Sequence, residues 1–292
     1  MVPVITIETR RRPVNSISHE RGREALLGKI DMGKAFVFQN GKFLFLAALF
    51  ATALKYHYSE ARSEDLAWIL RPTAGLVEWI SGIPFEEEAH TGFVSYARRI
   101  VIAPACAGVN FFIVAFCMAA FSGLHRMQHQ RLKWLWLTGC LASSYGLTVL
   151  ANAVRIMVSI YSYDANIYTG WLTPQRMHRL EGVIIYFFFL CLFYRIITAV
   201  CPPIRRAEKE NIEAKRARPD SAWLVLPGLV PLFWYGLITL AIPLLNSALA
   251  KEGARFAEHG GTVMFGCIIV LAVFILMQWG WTKIRDWKTK RP

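Results

Sequence analysis

The chain alternates between long runs without a single charged side chain and short segments rich in basic residues. Positions 100–122, 134–154, 222–246 and 261–282 contain no Lys, Arg, Asp or Glu. Each is close to the roughly 20 residues that cross the hydrocarbon core of a bilayer. A fifth run, 182–200, is interrupted only by Arg195. A sixth, about 36–56, carries Gln39, Asn40 and Lys42 near its start, where a lysine stem reaches toward the headgroups. Unpaired backbone cannot face lipid, so these runs predict helices. The expected fold is all-α, a polytopic transmembrane helical bundle of about six spans. Pro227, Pro231 and Pro243 fall in the fifth span and predict bends there.

Between the first two spans lies Leu66-Ala-Trp-Ile-Leu-Arg-Pro-Thr-Ala-Gly-Leu-Val-Glu-Trp-Ile80, apolar but broken by Arg71, Pro72 and Glu78. A spanning role would turn every later basic loop to the other side of the membrane, so this segment is expected on the outer leaflet as an interfacial helix. The resulting organisation is a basic tail at 1–34, a first membrane bundle at 35–200, a linker at 201–220, and a C-terminal hairpin with a basic tail at 221–292. The linker begins Cys201-Pro-Pro and ends Arg218-Pro-Asp.

Composition agrees with lipid as the solvent, since 55% of residues are hydrophobic and only 18% charged. The formal net charge of +13 would suit nucleic acid, but its distribution favours topology. Segments 1–34, 123–133, 201–220 and 283–292 hold 21 Lys and Arg, against nine in 57–99, 155–181 and 247–260. The positive-inside bias then makes both termini cytoplasmic. The expected partner is the lipid bilayer, with no nucleic acid. Arg10 to Arg12 lie well ahead of the first apolar run, so the first span is expected to stay as a signal anchor rather than leave as a signal peptide.

Six cysteines, Cys106, Cys117, Cys140, Cys191, Cys201 and Cys267, form no C-x-x-C pair, which argues against a zinc ribbon or disulfide framework. Most membrane cysteines are small packing residues. Cys106 differs because it sits in Ala103-Pro-Ala-Cys-Ala-Gly-Val-Asn110. Pro104 there suits a first helical position, and first-turn amides favour a thiolate. Small neighbours leave room for a peptide to approach. Asn152 and Arg155, three apart in Ala151-Asn-Ala-Val-Arg-Ile156, share a helix face at the outer boundary. An arginine at that depth is either a snorkelling anchor or a donor to an oxyanion. In Thr173-Pro-Gln-Arg-Met-His-Arg-Leu-Glu-Gly182, Thr173 is the expected N-cap and Pro174 the first helical residue. His178 then stands within about a turn of the helix start, with Glu181 at i+3. Three residues of complementary chemistry, on three helices at one depth, predict a thiol nucleophile with its base. His57, His90 and His259 are weaker candidates for the base. His125 and His129, at i and i+4, lack a third ligand, so neither a metal nor a cofactor is expected.

These motifs resemble those of the exosortase and archaeosortase family of membrane cysteine transpeptidases, most closely the exosortase K branch. The resemblance covers about residues 40–200. It is carried by Pro104-Ala-Cys-Ala-Gly-Val-Asn-Phe-Phe112, by Asn152-Ala-Val-Arg155, by His178-Arg-Leu-Glu-Gly182 and by Ile69-Leu-Arg-Pro-Thr-Ala-Gly-Leu-Val-Glu78. It implies Cys106, Arg155 and His178 as the catalytic set, with Asn110, Asn152 and Glu181 in support. It also implies cleavage of the C-terminal sorting signal of an exported protein at the outer face of the cell membrane, with transfer to an unknown acceptor nucleophile. The rival reading is a non-catalytic scaffold or transporter whose boundary Cys, Arg and His are interfacial anchors.

Overall fold

The computed structural model describes residues 40–127, 129–165, 168–170, 172–200, 222–245 and 248–289; the tail 1–34 and the linker 201–220 lie outside these. Helix α1 covers 40–60. From Leu46 onward the chain forms one compact unit, while residues 40–45 belong to another.

At the centre of the larger unit is α3 (Val109–Gly123), with 12 of its 15 residues buried. A helix that is apolar on every side is stable only when enclosed. Around it pack α4 (Gln130–Asp164), α5 (Pro174–Val200), α6 (Ala222–Gly236) and, through Phe50 on Phe116, α1. A π-helical turn at Leu237–Ala241 leads to α7 (Ile242–Leu245), and α8 (Ala248–Thr289) packs back on α5. Pro243 explains the π turn, because it offers no N–H to the Thr239 carbonyl four residues earlier.

Among the described residues, Pro104–Arg126, Gln130–Asp164, Pro174–Val200 and Phe256–Gly280 are long and apolar enough to cross a membrane, and Gly228–Leu244 is apolar but shorter. The protein is an all-α polytopic membrane protein. Outward side chains of α8 such as Phe265, Ile268 and Leu276 are more than half exposed, as expected of a face that meets lipid.

Three element boundaries depart from the sequence reading. The third span runs on to Asp164, about 13 Å past Arg155 at 1.5 Å per residue, because its polar end keeps helical hydrogen bonding outside the apolar zone. The last span begins as helix at Ala248 rather than 261 for the same reason. The run 100–122 is not one helix. It opens with a strand, β3 (Ile100–Ile102), which pairs antiparallel with β2 (Gly92–Ser95), itself paired with β1 (Glu86–Glu88). A Cβ at Gly92, φ 119°, would stand 2.4 Å from the Ile102 carbonyl oxygen, so this close approach requires glycine.

The expected interfacial segment is α2 (Ala67–Ser81). It buries Ile69, Leu70, Thr73, Ala74 and Val77 and packs against α4 and β2, while Trp79 remains 82% exposed. Pro72 deprives the Trp68 carbonyl of its helical donor, and the Tyr145 hydroxyl of α4 supplies one instead at 2.7 Å. The Arg71 guanidinium reaches Glu87 of β1 at 2.7 Å. Just before α2, Glu64 accepts from the His90 backbone N–H at 2.7 Å. Hydrogen bonds from its own N–H and from that of His90 hold the Glu64 carboxyl below the usual range.

Candidate active site

From β3 the chain enters a single 3-10 turn, Pro104–Cys106, with the Cys106 N–H donating to the Ala103 carbonyl at 2.8 Å. Gly108, at φ 69°, then redirects it into α3. Cys106 therefore precedes α3 and is not in its first turn as the sequence suggested. The left-handed residue between them separates the two elements. The thiol position is set by a strand, a proline turn and a glycine rather than by a helix N-terminus.

On α4, Asn152, Arg155 and Ser159 follow spacings of three and four and share one face. On α5, Thr173 caps as expected, its hydroxyl accepting from the Arg176 N–H at 3.4 Å, and Pro174 opens the helix. His178, Glu181, Gly182 and Tyr186 then line the side turned to α4. Gly182 permits the close approach, since a Cβ there would stand 3.0 Å from Arg155 Nε.

Two hydrogen-bonded branches start at Arg155. Its Nη1 donates to the Tyr186 hydroxyl at 3.1 Å, and that hydroxyl donates to Asn152 Oδ1 at 2.5 Å. Asn152 Nδ2 donates in turn to the backbone carbonyl of Cys106. Phe111 of α3 stacks on Tyr186 with centroids 4.8 Å apart, and Arg155 lies 5.4 Å over the same ring. On the second branch, Arg155 Nη2 lies 2.6 Å from His178 Nε2. Ser159 Oγ is 3.0 Å from His178 Nδ1 and donates to Glu181 Oε2 at 2.7 Å. Asn152 is fully buried and both its side-chain polar atoms are partnered, where an unmet one would be costly. Glu181 is 6% exposed and bonded through Oε2, while its Oε1 and Arg155 Nε are buried without a hydrogen-bond partner among the described residues.

A cavity of about 290 Å³ opens beside the second branch. Cys106, Ser159, His178 and Glu181 line it together with apolar side chains such as Ile102 and Ile156. Arg99 stands at the same cavity with a left-handed φ of 55°. Arg155 and Asn152 are not lining residues, and both connect to it through their bonds to His178 and Cys106. Asn110 is elsewhere: its Oδ1 accepts from Lys55 Nζ at 2.7 Å. Among the other histidines, His90 is paired with Glu64 at 3.1 Å. Cys117, Cys140, Cys191 and Cys267 are buried, as packing cysteines should be.

Tyr186 and Ser159 are absent from the sequence reading. Helical spacing alone carries a signal for both, since Ser159 is four residues after Arg155 and Tyr186 eight after His178. That signal identifies the face, and only the packing of α4 on α5 identifies the partner.

Fold and site together define a polytopic helical membrane protein with a cysteine, an arginine and a histidine gathered at one end of the bundle. The family model described as transmembrane exosortase matches residues 32–195, more than half of the chain. The chain belongs to the transmembrane exosortase family. No match is found among curated proteins or among solved structures.

Proposed function

We propose that this exosortase is a membrane-embedded cysteine peptidase or transpeptidase, of the K type within the family. Its substrate is the C-terminal sorting signal of an exported protein, cut at the outer face of the cytoplasmic membrane with both termini of the enzyme cytoplasmic. The observation that carries this reading is that Cys106 and His178 line one cavity while Arg155 is joined by hydrogen bonds to His178 and, through Tyr186 and Asn152, to the Cys106 backbone.

The chemistry is acyl transfer. Arginine carries no acceptor, so His178 Nε2 receives a proton bond from Arg155 and its lone pair is engaged. A substrate carbonyl oxygen that draws Arg155 Nη2 to itself frees that lone pair for the Cys106 thiol proton. The thiolate then attacks the carbonyl carbon, a C–S bond forms, and Arg155 holds the oxyanion. Collapse breaks the C–N bond, and the proton on His178 Nε2 passes to the departing amine. A thioester remains. Water or an acceptor nucleophile attacks it, its proton goes to His178, the C–S bond breaks, and that proton passes from His178 to the departing sulfur to restore the cysteine thiol and the free base.

The test is processing of a sorting-signal substrate in membranes, normalised to inserted enzyme. Cys106→Ala abolishes it at near-normal abundance, because a small-to-small change costs little packing. Cys117→Ala keeps it. Wild-type processing by Cys106→Ala would overturn the proposal.

A further inference from the structure

We propose that Ser159 is a positioning residue that holds the His178 ring in the tautomer set by Arg155, with Glu181 as the terminal acceptor of the chain. This inference rests on the peptidase reading for its consequence in turnover, but not for its geometry. The donor at one end determines every role along the branch. Arg155 can only donate, so Nε2 of His178 is the acceptor and the neutral ring carries its proton on Nδ1. Nδ1–H then donates to Ser159 Oγ, and the Ser159 O–H donates to Glu181 Oε2. A serine hydroxyl both accepts and donates, and only such a group passes this polarity from the imidazole to a carboxyl. The ring is thereby held with Nε2, the nitrogen beside Arg155, as its basic atom.

The alternative is that Ser159 is an ordinary polar residue of a membrane helix. The hydroxyls of Thr52, Thr73, Ser143, Thr148, Thr198 and Thr262 show what such residues do here, each donating to the carbonyl four residues back on its own helix. Ser159 instead spends its bonds on two side chains of α5. Its buried partner Glu181 has no basic side chain in this chain of bonds, so the hydroxyl is what satisfies Oε2. A serine hydroxyl at this point also suits its place at the cavity wall, where it orients the base without adding charge.

Two measurements test the inference on the full chain in detergent micelles. The first is 15N NMR of protein labelled at histidine, with the His178 signals identified by their loss in His178→Gln. Wild type and Ser159→Thr show His178 protonated at Nδ1 and bare at Nε2 with the Nδ1 proton hydrogen-bonded, whereas Ser159→Ala leaves that proton without its acceptor and moves the Nδ1 and Hδ1 signals upfield. An unchanged pattern in Ser159→Ala overturns the proposal whatever the enzyme's activity. The second is turnover of a sorting-signal substrate. Ser159→Ala loses about tenfold or more in kcat with KM little changed, the scale of one lost hydrogen bond in the transition state. Ser159→Thr restores most of the rate, and Ser143→Ala stays at wild type. A wild-type kcat in Ser159→Ala overturns the catalytic role. Processing by Cys106→Ala in the same assay would sink the peptidase reading instead and leave the NMR arm to decide the Ser159 contact.

Discussion

Helix α5 presents two faces that make opposite use of the same backbone. Toward α4 it offers His178, Glu181 and Tyr186, whose hydrogen bonds of 2.5–3.1 Å end on Arg155, Asn152 and Ser159, with Gly182 among them letting Arg155 come close. Toward α6 and α8 it offers Val183, Phe187 and Phe188. Their contacts are rings and aliphatic surface, with Phe187 5.7 Å from Tyr235 and Phe188 5.5 Å from Phe274. The polar face is specific and directional, and each member has a defined partner. The apolar face depends on shape alone, as at Gly266, where a Cβ would stand 2.5 Å from Val183. On the proposed mechanism, changes on the two faces separate chemistry from assembly, since the candidate catalytic groups stand on one and the packing surface of the bundle on the other.

The largest expected effect comes from the polar face. Arg155→Lys keeps the charge and the reach of an anchor but loses the planar fork that bonds Tyr186 and His178 together. It should cost roughly 100- to 1,000-fold in processing, the scale of a lost oxyanion donor, with unchanged abundance in membranes. Full activity in Arg155→Lys would return this residue to a snorkelling role.

On the apolar face, Phe187→Ala removes a fully buried ring from the contact with Tyr235. It should cost about 3 kcal/mol through the cavity left behind, seen as a lower unfolding temperature in detergent, while the surviving folded enzyme turns over at the wild-type rate. If the rate per folded molecule falls with stability, the two faces are not separable.

The smallest effect tests the branch that joins Arg155 to the Cys106 turn. Tyr186→Phe keeps the ring against Phe111 and removes the hydroxyl that bonds Arg155 and Asn152. With net hydrogen bonds worth about 1 kcal/mol each, processing should drop about tenfold, and stability should fall by less than in Phe187→Ala. A stability loss as large as that of Phe187→Ala would mean that the hydroxyl serves packing first.

Much of the architecture was legible in the charge-free runs, because a bilayer demands length, apolarity and internally paired backbone from each crossing segment. α5, the core of α4 and, from Val109 onward, the run 100–122 are helical where the runs put them, and Thr173 and Pro174 start α5 as their chemistry predicts. The strands at 86–102 were not legible. They are three to four residues long, and their pairing of Phe93 with Ile102 is a contact across the chain that no local periodicity announces. The helical extensions to Asp164 and from Ala248 were hidden for a related reason: once a helix leaves the apolar zone, hydropathy no longer marks it.

What the residues alone determined is the class of molecule, a multi-pass exosortase, together with the candidates for its site, Cys106, Arg155 and His178 in that order. These follow from composition and short motifs, which are local properties of the chain. What only the tertiary structure decided is how the inventory is wired. That Cys106 rides on a 3-10 turn behind Gly108, that Asn110 turns to Lys55, and that Tyr186 and Ser159 complete the two branches from Arg155 all depend on how α4 meets α5 across the end of α3. Helical spacing states which side chains share a face, but the partner of a face is chosen by packing, where glycines such as Gly182 set how near two helices come.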